Sequence, residues 1–150
     1  MDSVDDKWKD SMDNYNVMLV TIGRSSTENG TYLPGVDGVD ASQNLNQTDP
    51  LGLSDDERDL INAAVEAKEN NGGKVIVMLN NANAMEIDEI KNNDGVDAIM
   101  EIGFPGGYGF YGVADILSGE ANPSGHLTDT YAVTNANSFP GNHPLPYMAE

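Results

Sequence analysis

Apolar positions along the chain fall into short runs separated by longer polar stretches. Residues 16–22, NVMLVTI, form one such run ending at Gly23, with the composition of a strand buried on both faces. Residues 74–80, KVIVMLN, read as a second buried strand and residues 96–102, VDAIMEI, as a third. Between the first two lies SDDERDLINAAVEAKEN, in which Leu60, Ile61, Ala64 and Val65 make one apolar stripe at helical spacing. Ser54 and Glu57 stand at capping-box spacing, Asp55 and Asp56 suit the positive helix start, and Asn71, Gly72 and Gly73 supply a left-handed stop. AMEIDEIKNN predicts a short helix closed by a turn at Gly95, YGVADILSG another helix, and NPSG a tight turn before HLTDTYAV, a fourth strand.

Strands alternating with helices predict an α/β fold, a three-layer αβα sandwich whose largely parallel sheet of about four to six strands is covered on both faces. Ligands gather at the C-terminal strand ends of such sheets, here near residues 23–29, 80–83 and 103–107. The stretch from Arg24 to Leu53 is polar, glycine-rich and without elements, so it marks either a functional or a disordered loop. The 150 residues make one domain over 1–132, followed by a Pro/Asn-rich tail or linker over 133–150. Both ends read as cuts, which predicts a fragment of a larger multidomain protein.

Charge narrows the partners. Seven Lys+Arg against 25 Asp+Glu give a net charge of −18, and the basic residues are scattered, so neither nucleic acid nor an anionic membrane surface is an expected partner. The longest apolar run, VIVML, is too short to span a bilayer. The absence of cysteine excludes disulfides, thiol nucleophiles and thiolate metal sites. The acidic start MDSVDDKWKDSMDN lacks the pattern of a secretory signal, and the compartment of the full-length protein, cytoplasmic or secreted, stays open.

Residues 104–119, FPGGYGFYGVADILSG, contain Gly107, Gly109 and Gly112 at the G-x-G-x-x-G spacing of a dinucleotide cradle, with Asp129 as the acidic partner further on. The motif comes late in the chain, Asp129 falls inside its strand, and Pro105, Tyr108, Phe110 and Tyr111 crowd the loop. The favoured reading is a sharp turn from the third strand into a closely packed helix, with Tyr108 or Phe110 at a domain interface; a nucleotide-binding domain is the alternative. His126 and His143 have no partners at ligand spacing, Asp37 and Asp40 lack the twelve-residue calcium pattern, and Ser25, Ser26 and Ser124 lack a nucleophile elbow. No metal or cofactor is expected.

Two segments carry a resemblance. VDAIMEIGFPGGYGFYGVADILSGEANPSGHL and VMLVTIGRSSTENG, with LSDDERDLINAAVEA and KVIVMLNNANAMEI between them, resemble in order and spacing the C-terminal α/β sandwich domain of glycoside hydrolase family 3, the β-glucosidase and β-xylosidase family. The resemblance implies a retaining glycosidase that hydrolyses terminal β-glycosidic bonds of a β-glucoside or β-xyloside, with the aspartate nucleophile on a barrel domain of the same enzyme. Gly23, Arg24, Ser26 and Glu28 match the family's G-R-x-S-G-E-G loop, which puts Glu28 on the acid/base position and Arg24 and Ser26 beside it as substrate-binding residues. No Ser-Asp-Trp nucleophile motif is present, so the chain by itself is expected to be inactive. A non-catalytic carbohydrate-binding or interaction module of the same fold is the other reading.

Overall fold

The computed structural model describes residues 11, 12, 14–24, 51–82, 84–128, 130, 131 and 133. Three strands, β1 (Val17–Gly23), β2 (Lys74–Asn80) and β3 (Ala98–Glu101), form a parallel sheet in that order. Full helices among the described residues are α1 (Asp55–Asn71), α2 (Asp88–Lys91) and α3 (Gly106–Ser118). The fold is therefore α/β with a parallel sheet, as the alternation of elements predicts. In-register pairs Met18↔Val75, Val20↔Val77 and Ile22↔Leu79 share one sheet face. Ile61, Ala64 and Ala67 of α1 join these side chains in one buried cluster with Leu53, Met85 and Ile90. Small alanines let the helix approach the sheet closely, and a Cβ at Gly95 would likewise run into the Val65 side chain.

The start and stop of α1 follow local chemistry. Ser54 Oγ accepts from Glu57 N (3.2 Å) while Ser54 N donates to Glu57 Oε2 (2.8 Å), completing the capping box. Gly72 closes the helix at φ 75° with its N–H on Lys68 O (2.7 Å).

Tertiary contacts move other boundaries. The helix expected over residues 84–93 shrinks to Asp88–Lys91, because Glu86 N donates to Leu51 O (2.9 Å) and so ties this backbone to a distant segment. Helix α3 starts at Gly106 and not at Tyr111: Gly109 N donates to Pro105 O (3.1 Å), and the missing Cβ at Gly109 makes room for the Pro105 ring. The fourth strand is absent among the described residues of 126–133, and Asp129 lies outside them. β1, expected to be covered on both faces, is covered on one: Met18, Val20 and Ile22 are buried, whereas Val17 and Leu19 are about half exposed on the face away from α1.

Asp97, immediately before β3, ties three elements together. Its Oδ2 accepts from Lys68 Nζ (2.7 Å) and Val75 N (2.9 Å), and its Oδ1 from Lys74 Nζ (2.7 Å). These bonds, led by that from Lys68, hold its carboxyl well below the usual carboxylate range. A lowered carboxylate adds stability above its unfolded value of about 3.9 and loses it as pH falls toward the folded value. Asp97→Asn is therefore expected to be less stable than the parent at pH 7, with the gap closing below about pH 4. Urea unfolding across pH 7 to 3 reads this, and a gap that does not change with pH would contradict it.

Candidate functional site

The C-terminal ends of the three strands are tied side by side. Arg24 N donates to Asn80 O (3.1 Å), Asn80 Nδ2 donates to Gly103 O (2.9 Å), and Ile102 N donates to Leu79 O (2.9 Å). This is the sheet edge where the sequence places a ligand.

Arg24 stands at the expected strand end, and its side chain crosses to the start of α1. Nη2 donates to Gly52 O (2.8 Å) and to Glu57 Oε2 (2.7 Å), and Nε donates to Glu57 Oε1 (3.3 Å). The Arg24 side chain is 5% exposed and that of Glu57 17%. One cation thus links the end of β1 to Gly52 and to the first turn of α1. Ser26 and Glu28 lie outside the described residues. Glu57 escaped the sequence reading except as a helix cap; its second role depends on a partner 33 positions away, which no local pattern reveals.

Beside this edge, β3, one side of α3 and residues 121–128 line an open cavity of about 870 Å³. Helix α3 was expected to pack closely on the sheet. Instead none of its residues is buried, and Val113 and Ile116 line the cavity opposite Ile99 and Met100. Tyr108 and Phe110, one or other of which is expected at a domain interface, are 91% and 48% exposed. Glu101 sits on the cavity wall with Oε1 accepting from Gly103 N (2.8 Å) and Oε2 from Tyr131 Oη (2.7 Å).

The G-x-G-x-x-G spacing does not form a phosphate cradle. A dinucleotide motif places its first glycine in the turn before the helix. Here the turn glycines are Gly103 (φ 54°) and Gly106 (φ 61°), whereas Gly107, Gly109 and Gly112 all lie within α3. The nucleotide-binding alternative loses its structural basis.

Asn81, just beyond β2, is 3% exposed, and neither Nδ2 nor Oδ1 has a partner among the described residues. Burying an unsatisfied amide costs about 1–3 kcal/mol, and an apolar group of similar shape avoids that cost. Asn81→Leu is therefore expected to raise stability by about 1 kcal/mol in urea unfolding. A variant less stable than the parent would show that the amide is satisfied in the folded protein.

No described helix is long and apolar enough to cross a membrane. Residues 2–148 match the model of the glycosyl hydrolase family 3 C-terminal domain. The chain is 33% identical over 100 residues to the "Probable beta-D-xylosidase 6" of Arabidopsis thaliana, covering 64% of this chain and 12% of that protein. It is 29% identical over 111 residues to an exo-1,4-beta-xylosidase of Aspergillus niger, covering 73% of this chain and 13% of that one. Among solved structures it is similar to beta-glucosidase 3B from Thermotoga neapolitana in complex with glucose, with a TM-score of 0.64 and 27% identity over 91% of this chain and 18% of that chain. The chain thus spans about an eighth of the length of these curated relatives. It belongs to glycosyl hydrolase family 3, as that family's C-terminal domain.

Proposed function

We propose that this domain serves a retaining β-glycosidase acting on terminal β-glucosidic or β-xylosidic bonds. Glu28 is the acid/base, and the carboxylate nucleophile stands on a barrel domain elsewhere in the enzyme. The observation that carries the reading is the clasp at the strand ends. Arg24, matched to the family's loop motif and four positions before Glu28, stands at the sheet edge where α/β folds bind ligands, with its side chain bonded to Gly52 O and Glu57. Glu28 lies four positions after Arg24, so chain geometry keeps its Cα within about 14 Å of that of the clasp residue.

The chemistry needs two carboxyl groups about 5–5.5 Å apart. In the first step the barrel carboxylate bonds to the anomeric carbon while the Glu28 carboxyl gives its proton to the departing glycosidic oxygen. In the second, the Glu28 carboxylate takes a proton from water as the water oxygen displaces the nucleophile. Ser26 offers a hydroxyl to the sugar, and Arg24 stands two positions before it at the strand end.

The test is Glu28→Gln in the full-length enzyme, assayed on substrates with good and poor leaving groups. Unchanged turnover on an unactivated glycoside would sink the assignment and leave the fold as a non-catalytic module.

A further inference from the structure

We propose that the open cavity between β3, α3 and residues 121–128 binds an organic cation, an ammonium group on an apolar body, with Glu101 as its counter-charge. The walls supply both halves of such a site. Ile99, Met100, Val113, Ile116 and Leu127 give apolar surface for the body, and the volume of about 870 Å³ falls in the range of small-molecule pockets. Among the described residues lining it, Glu101 is the only carboxylate and none is Lys or Arg. His126 is the only one there able to carry positive charge.

The carboxylate is held in place by the protein itself. Oε1 accepts from Gly103 N (2.8 Å) and Oε2 from Tyr131 Oη (2.7 Å), both neutral donors. Gly103 O in turn accepts from Asn80 Nδ2 (2.9 Å), so the turn that anchors Glu101 is tied to β2 as well. Each carboxylate oxygen keeps acceptor capacity after these bonds, and no ion pair reaches Glu101 among the described residues. A half-buried charge without a counter-ion is costly. A ligand ammonium removes that cost and makes a charge-assisted hydrogen bond. An anion is repelled, and the net charge of −18 extends this preference beyond the cavity. A neutral alcohol keeps a hydrogen bond and loses the charge, so charge is what separates the ligand classes.

Asn81 lines the same cavity, 3% exposed, with neither amide atom partnered among the described residues. Turned toward the cavity, its Oδ1 is an acceptor for a second donor on the ligand.

The test titrates the full chain with 2-phenylethylammonium, 2-phenylethanol and 3-phenylpropanoate, probes of similar body and different charge. Calorimetry reads affinity and the methyl NMR signal of Met100 reports occupation of the cavity. The measurements are made at pH 8, where imidazoles are ordinarily neutral. The cation is expected to bind about tenfold or more tighter than the alcohol and to shift the Met100 signal, with the carboxylate weaker than both. Glu101→Gln, which keeps the shape and removes the charge, should weaken the cation about tenfold or more and bring it level with the alcohol. Asp115→Asn removes a charge from an exposed part of α3 outside the cavity and should leave the affinity within about twofold, which separates Glu101 from the general acidity of the chain. Val113→Trp fills the cavity from a helix without buried residues, and should abolish both binding and the Met100 shift; it serves if Glu101→Gln does not fold. No binding of the cation, equal affinity for cation and alcohol, or full cation affinity in Glu101→Gln or Val113→Trp overturns the proposal.

Discussion

Replacing Glu28 by glutamine in the full-length enzyme is expected to lower kcat/KM on an unactivated β-glycoside by about 10²–10⁴-fold, the usual contribution of a placed acid/base. An alkoxide leaving group cannot depart without a proton, and the amide has none of suitable acidity to give. On an aryl glycoside with a stable phenolate, the first step no longer needs that proton, so kcat/KM should change far less. The second step still needs a base, and kcat on the aryl substrate should therefore fall as the glycosyl-enzyme accumulates. Azide, which attacks without giving up a proton, should restore it. The alkaline limb of the pH profile of kcat/KM should also disappear, since it reports loss of the proton from the acid. Failure of the two substrates to separate would remove Glu28 from the reaction.

The second large effect is on stability. Arg24→Ala should cost about 3–5 kcal/mol, because removing one partner of a buried ion pair leaves the other charge unpaired. The lower end is expected, since Glu57 keeps 17% exposure and still accepts from Ser54 N (2.8 Å). Gly52 O also loses its donor at 2.8 Å. Urea unfolding measures the change directly. A loss below about 1 kcal/mol would show that water replaces the guanidinium with little penalty, as at an exposed pair. The contrast is available in the same chain. Arg58 makes a two-pronged pair with Glu89 (2.7 and 2.9 Å), and the guanidinium lowers the Glu89 carboxyl below its ordinary value, yet the Glu89 side chain is 57% exposed. Truncating Arg58 should therefore cost far less than truncating Arg24.

Local rules were enough where a bond partner lies within a few residues. Ser54 and Glu57 announce the start of α1, Gly72 its end, and residues 74–80 match β2 in full. Capping boxes, left-handed glycines and buried strands are written in adjacent residues, so they can be read without the fold. The family, too, was legible, because its motifs recur in one order along the chain.

Tertiary structure decided what depends on residues far apart. It set the length of α2 through Glu86 and Leu51, and joined Arg24 to Glu57. It placed Asp97 between Lys68 and Lys74, where the sequence shows only another carboxylate among 25 acidic residues. It also left α3 beside a cavity where glycine content had pointed to close packing. Sequence determined which elements form, because propensity and capping act over a turn or a strand. The fold alone determined which side chains meet at the strand ends, because that meeting follows from the order of parallel strands and the helix between them.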